Sequence, residues 1–193
     1  MDARSEKLIA KSKTLLTDIR HDLRGNSAHW SSHTPAIRAI VSYIESSNLL
    51  HFPHRHEEIA WFLHGIQEFA YSEPDRGGVP DLTSWCEHGW TSILHSDPYN
   101  IAALQGLGDA YLKKSQYLLS RIAVEEADMD EDERENEHRL QDPVYADARR
   151  CLEPAVEYLG RAVDSANQQR RLTGELLATV YIEFSNICQP HRY

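Results

Sequence analysis

Cysteine is scarce in this chain. Cys86, Cys151 and Cys188 are its three cysteines, an odd number with no CxxC spacing, which argues for reduced thiols in the cytosol or nucleus. Basic charge is also in deficit: 20 Lys and Arg stand against 30 Asp and Glu, a formal net charge of −10. Binding phosphates requires a basic footprint, so no nucleic-acid partner is expected. Long apolar runs are missing, and none approaches the ~20 residues of a membrane span. Near the N-terminus, Leu8, Ile9, Leu15, Leu16, Ile19 and Leu23 are spread at helical spacing and do not form the apolar block of a signal peptide. Asp2, Glu6, Asp18 and Asp22 argue against a mitochondrial presequence there. The expectation is a cytoplasmic or nuclear protein with no membrane partner.

Catalytic signatures are absent too. There is no GxSxG elbow, no phosphate-binding glycine loop and no dinucleotide fingerprint. No catalytic residue is assigned, no cofactor is expected, and the chain is read as a non-enzyme. Cys86 and Cys151 fall on apolar helix faces, where structural thiols are favoured over reactive ones.

What the sequence does hold is helical periodicity. Its 193 residues suffice for a single domain with a real core. No segment sustains the alternation of a strand, and the chain is predicted to be all-α, with about seven helices in antiparallel pairs. The first covers roughly 3–24 and stops at Gly25-Asn26. The second opens at Thr34-Pro35, an N-cap followed by proline in the first turn, and presents Ile37, Ile40, Val41 and Ile44 as a buried face. The third runs from about Glu57 to Tyr71 and carries Ile59, Trp61, Phe62, Leu63, Ile66 and Phe69, the expected centre of the core. A loop at 72–80 follows. The fourth starts at Asp81 and ends at Asp97-Pro98. The fifth spans about Asn100 to Ala123, the sixth opens at Asp142-Pro143, and Pro154 should kink or split it. The seventh covers about 172–187, with Leu176, Leu177, Val180, Tyr181 and Phe184 as its apolar side. Leu176, Val180 and Phe184 need covering by the first helix or by another subunit.

Residues 97–117 carry the most specific pattern. Asp97-Pro98-Tyr99-Asn100 leads into Leu104, then Leu107-Gly108, then Tyr111. This resembles the first helix of a tetratricopeptide (TPR) repeat, in which the small residue lets the partner helix approach closely. The fourth helix, with Cys86 or Gly89 as the small contact and Trp90 as the aromatic, is similar to a second helix. Trp61 and Gly65 place the third helix as its first. The spacing exceeds the ~34-residue repeat, and the loop at 72–80 and the insertion at 124–142 absorb the excess. The resemblance covers roughly 57–187 and implies one domain over 1–193: N-terminal helices at 1–50, TPR-like pairs at 57–123 and 143–187, and an acidic flexible insertion at 124–142. The implied architecture is a TPR-like superhelical stack. The implied function is a non-catalytic adaptor or complex subunit that holds a partner peptide or helix. Gln105, Asp109, Leu112 and Lys113 of the fifth helix, with His64 and Glu68 of the third, would line the groove. Leu112 is expected to be exposed. TPR modules that clamp chaperone C-termini resemble one another in using Lys, Asn and Arg, and Ala102, Gln105, Gly106 and Asp109 do not match.

Three further features have competing readings. Between Glu125 and Asp142 ten acidic residues face Arg134 and Arg139, so this segment holds −8 of the net −10. It is either a solvated loop or an arm for a basic partner segment. Asp128, Asp130 and Asp132 have the first spacings of an EF-hand, but Glu133 replaces its turn glycine and Arg139 its bidentate Glu. The run His51-Phe52-Pro53-His54-Arg55-His56-Glu57-Glu58 carries the alternative function, a helical-bundle enzyme or metal-binding protein, although it has no HExxH spacing. Trp61, Trp85 and Trp90 are read as core. Trp30, within the polar stretch from Gly25 to His33, either plugs the groove between the first two helices or anchors a partner.

Overall fold

The computed structural model describes residues 2–25, 27–72, 77–127, 129, 141–174, 176–178 and 180–181. Among these residues every regular element is helical and there is no strand. The α-helices are α1 (Ala3–Gly25), α2 (Thr34–Ser46), α3 (His56–Ala70), α4 (Pro80–Ser96), α5 (Ile101–Ala127) and α6 (Pro143–Gln168). A last helix, α7, has its described residues within 174–181. The chain divides into two compact units, the first holding α1–α4 and the second α5–α7.

Proline and apolar spacing explain most of the boundaries. Prolines stand in the first turns of α2, α4 and α6, where the missing N–H has no helical partner to lose. Thr34 does not cap α2 as expected; it is already helical, and His33 precedes it with no side-chain cap bond. The polar stretch before it is not an irregular loop, because Ser27–His33 forms a 3-10 helix. Trp30 there meets Phe69 edge-on, ring centroids 5.8 Å apart, so its aromatic partner belongs to α3.

In the first unit the helices form two hairpins. The start of α3 meets the end of α4 through His56 and Ser96 (3.2 Å), and its end meets the start of α4 where Val79 N–H donates to the Ala70 carbonyl (2.9 Å). The pair is therefore antiparallel. Gly89 gives it close contact, because a Cβ there would collide with the Leu63 side chain. Between hairpins the register is parallel. Along α1, Glu6 pairs with Arg55, Lys13 with Glu58 and Arg20 with Glu68, in the same order as along α3. A Cβ on Gly65 would sit 2.9 Å from Leu16 Cδ2, so the two backbones approach closely between these ion pairs. Likewise Arg38 Nε donates to Asp81 (2.8 Å) and Trp85 Nε1 donates to Glu45 (3.2 Å), which sets α2 parallel to α4. Partners lie 40 to 49 residues apart in sequence. One hairpin is thus laid beside the other in the same order, α1 beside α3 and α2 beside α4.

The core of this unit holds Leu16, Ile37, Ile40, Ile44, Phe62, Leu63, Ile66, Phe69 and Trp90, all fully buried. Each such aliphatic or aromatic side chain contributes about 1.5–3 kcal/mol by leaving water. Trp90 resolves its polar edge by donating from Nε1 to the buried Gln67 amide oxygen at 2.8 Å. Trp61 and Trp85 are only half-buried, so of the three tryptophans read as core, Trp90 alone is fully enclosed.

The second unit is built on the antiparallel pair α5 and α6. Gln169 donates to the Tyr99 carbonyl (3.0 Å) at one end, and Tyr145 donates to Glu126 at the other. Between them a Cβ on Gly108 would lie 2.6 Å from Leu159 Cγ, the close approach that the Leu-Gly pattern anticipates. Asn100 caps α5 by accepting from Ala103 N–H at 3.1 Å. The helix runs beyond the expected end at Ala123 to Ala127, so Glu125 and Glu126 are helical and not part of an open loop; the Tyr145 bond holds that extra turn. Pro154 does not split α6. Ala148, Ala155, Leu159, Ala162 and Ala166 are buried on both sides of it, and this packing outweighs the missing hydrogen bond. Thr173 caps α7 through Oγ1 to Leu176 N–H (3.1 Å). Leu176 and Val180 then pack on Leu159 and Ala166 within the unit, so neither needs the first helix or another subunit to cover it. Leu177 and Tyr181 are exposed, which corrects their assignment to the apolar side. Phe184 lies outside the described residues, as do residues 182–187 of the expected seventh helix.

Candidate functional site

The residues expected to line a groove fall into two sets. His64 and Glu68 lie on α3 in the first unit, and Gln105, Asp109, Leu112 and Lys113 lie on α5 in the second. His64 and Glu68 are exposed, one helical turn apart. Glu68 receives an ion pair from Arg20 at 3.0 Å, a contact invisible in sequence because it joins residues on two helices.

On α5, Asp109 and Lys113 pair at 2.9 Å across one turn and are both half-buried. Gln105 is half-buried one turn before Asp109. Leu112 breaks the expectation: it is 1% exposed and belongs to the core, not to a docking surface. The reason is the composition of α5. Ala103, Leu104, Gly106, Leu107, Gly108, Ala110 and Leu112 are all buried, so the helix has no single apolar stripe from which an outward face follows by periodicity.

A feature that sequence reasoning missed stands beside these residues. Tyr111 of α5 stacks on Tyr158 of α6, centroids 6.0 Å apart and planes 13° from parallel. Lys114 Nζ lies 5.5 Å from the Tyr111 ring, and the Arg161 guanidinium 5.5 Å from that of Tyr158. Tyrosines at these positions were legible as aromatics; their pairing required the register that Gly108 and Leu159 set. Such stacks contribute packing and cation–π attraction.

The His51–Glu58 run does not converge. His51 and His54 are exposed, and His54 packs edge-on against Phe52 at 5.7 Å. His56 points to Ser96 at 3.2 Å. Glu58 is held by Lys13 and Arg55. Among the described residues no group of three His, Cys, Asp or Glu side chains is placed to hold a metal ion. Two short 3-10 turns, Leu49–His51 and Pro53–Arg55, point successive residues in different directions, which is why density in sequence does not become density in space.

Cys86 is buried with its Sγ directed to the Leu63 carbonyl at 3.7 Å. Burial pushes its thiol far above the ordinary range, and the neighbouring Glu87 adds to this, so a nucleophilic thiolate is disfavoured there. Cys151 is half-buried. The EF-hand-like spacing at Asp128, Asp130 and Asp132, most of the acidic insertion at 124–142, and Cys188 lie outside the described residues. Among the described residues no helix is long and apolar enough to cross a membrane. The chain matches no protein-family model, and neither the curated proteins nor the solved structures contain a match to it.

Proposed function

We propose that this chain is a non-catalytic interaction module, an adaptor or complex subunit of TPR-like architecture that holds a segment of another protein. The observation that carries this reading is the parallel register of α1 with α3 and of α2 with α4. Hairpins laid side by side in this way expose a continuous surface of helices, the geometry of helical-repeat scaffolds that bind extended segments. Gly65, Gly89 and Gly108 support it, since each lets a neighbouring helix come close. Exposed His64 and Glu68 on α3 and the Asp109–Lys113 pair on α5 supply polar contacts, and the acidic residues after α5 would steer a basic partner segment.

The test is affinity capture of the tagged chain from its native cells, comparing wild type with an Asp109→Lys, Lys113→Glu double variant. That exchange preserves an intrahelical ion pair while inverting the charge pattern. The reading predicts a stoichiometric partner that the folded variant loses. A wild type that captures no partner and stays monomeric contradicts it.

A further inference from the structure

The solvent-facing stripe of α3 carries an aromatic side chain that the fold leaves without a polar partner. Glu57, Trp61, His64 and Glu68 follow one another at helical spacing and share a face; Trp61 is half-buried and the other three are exposed. The remaining tryptophans have partners on other helices. Trp90 donates to Gln67 and Trp85 to Glu45, and Trp30 meets Phe69 edge-on. The Trp61 ring meets Phe62, its neighbour in sequence, edge-on at 5.1 Å. Among the described residues its indole N–H finds no acceptor and no cation lies over its ring. The Glu57 carboxylate, one turn earlier, likewise makes no ion pair or hydrogen bond among the described residues. By contrast, Glu58 is held by Lys13 and Arg55, and Glu68 by Arg20. The Cα–Cβ bond of a helical residue tilts toward the N-terminus, so Trp61 leans toward Glu57. An aromatic face, an N–H and an unpaired carboxylate thus stand together at the surface.

We propose that Trp61 and Glu57 form a surface subsite for one arginine side chain of a partner protein. The proposal rests on the interaction-module reading above and names the residue recognised in its basic segment. A guanidinium is planar and always charged. It stacks on the indole, whose face attracts a cation, and its N–H fork matches the Glu57 carboxylate. Trp61 Nε1–H then donates to a backbone carbonyl of the same segment. Charge complementarity selects this occupant, because an acidic or apolar side chain gives neither the carboxylate nor the indole face the partner it favours. Glu58 and Glu68 are already neutralised by Lys13, Arg55 and Arg20, so the subsite takes a single cation and not a run of them.

The experiment is an NMR titration of the isotope-labelled full chain with a short synthetic peptide alternating arginine and serine. The control peptide carries citrulline for arginine, which keeps the shape and removes the charge. The proposal predicts shifts of the Trp61 indole N–H and the Glu57 amide that grow with the arginine peptide, and none there with the control. Trp61→Leu, which also identifies the indole signal by its loss, weakens binding read at the Glu57 amide by about two- to fivefold. Glu57→Gln, an exposed change, weakens binding read at the indole by a similar factor of about two to five. Both variants are checked for an unchanged amide spectrum away from this face. No shift at either group up to about millimolar peptide, equal shifts with citrulline, or an affinity that Glu57→Gln leaves unchanged overturns the subsite. If the subsite fails while affinity capture still returns a partner lost by the α5 variant, the module reading stands without it. If the peptide binds as predicted and capture returns nothing, the module reading is the one that falls.

Discussion

Gly108 and Gly160 make opposite demands on a methyl group. At Gly108 an added Cβ meets Leu159 Cγ at 2.6 Å and the Leu159 backbone nitrogen at 3.3 Å, atoms that cannot swing away. Gly108→Ala gains up to ~1 kcal/mol of helix propensity but overpacks the α5–α6 contact at about 1–3 kcal/mol, and a net loss in urea unfolding is expected. At exposed Gly160 nothing lies within 4 Å, so Gly160→Ala should stabilise by about 0.5–1 kcal/mol. The Leu-Gly pattern was legible in sequence because only a small residue fits such a crossing; which glycine was tight and which was idle depended on the opposite helix. Cys86 gives a second prediction at this scale. Its burial and raised pKa mean that alkylation at mildly alkaline pH should modify Cys151 while Cys86 stays unmodified until unfolding, read by peptide mass spectrometry. Because the folded chain holds the Cys86 proton and the unfolded chain releases it, this thiol also favours unfolding as pH rises above its ordinary 9.0.

Single helices explain what periodicity could and could not show. For α2, Pro35 and the row Ile37, Ile40, Val41 and Ile44 marked both the start and the buried face; the structure buries the three isoleucines fully and leaves Val41 half-buried. For α5 the same reasoning failed at Leu112, since a helix buried on several sides carries no period to read. The 3-10 helix at Ser27–His33 was missed because its residues are polar and its only strong sign, Trp30, has its aromatic partner on α3. Contacts between helices were the least legible. Arg38 and Asp81 are far apart in sequence, yet their bidentate pair (2.8 and 3.2 Å) ties α2 to α4. The Arg38 guanidinium beside Asp81 holds its carboxyl below the usual carboxylate range. The pair therefore contributes above about pH 3.8, the ordinary value, and that contribution is lost as pH falls through the depressed folded pKa. Both side chains are more than half exposed, so the effect is small. Arg38→Ala should lower the thermal midpoint slightly at neutral pH, and the difference from wild type should vanish in acid.

For the whole molecule, the excess of acidic residues argues against a nucleic-acid partner, and the proposed function places a protein partner on the surface of the paired hairpins. Neither the acidic excess nor the histidine run assembles a reactive centre among the described residues: Glu58 is occupied by Lys13 and Arg55, and His56 by Ser96. Purified protein is accordingly expected to hold no stoichiometric zinc or iron by elemental analysis, and a bound equivalent would favour the metal-dependent alternative. The parallel alignment of two hairpins was not legible, because it is set by Arg20–Glu68, Leu16 against Gly65 and Arg38–Asp81, none of which repeats as a sequence motif. The most direct test of the central claim is amide hydrogen exchange by mass spectrometry on the chain alone and with its captured partner. The account predicts slowed exchange in peptides around His64 and Glu68 of α3 and around Gln105, Asp109 and Lys113 of α5. A bound partner that leaves both regions unchanged while protecting other surfaces would contradict it.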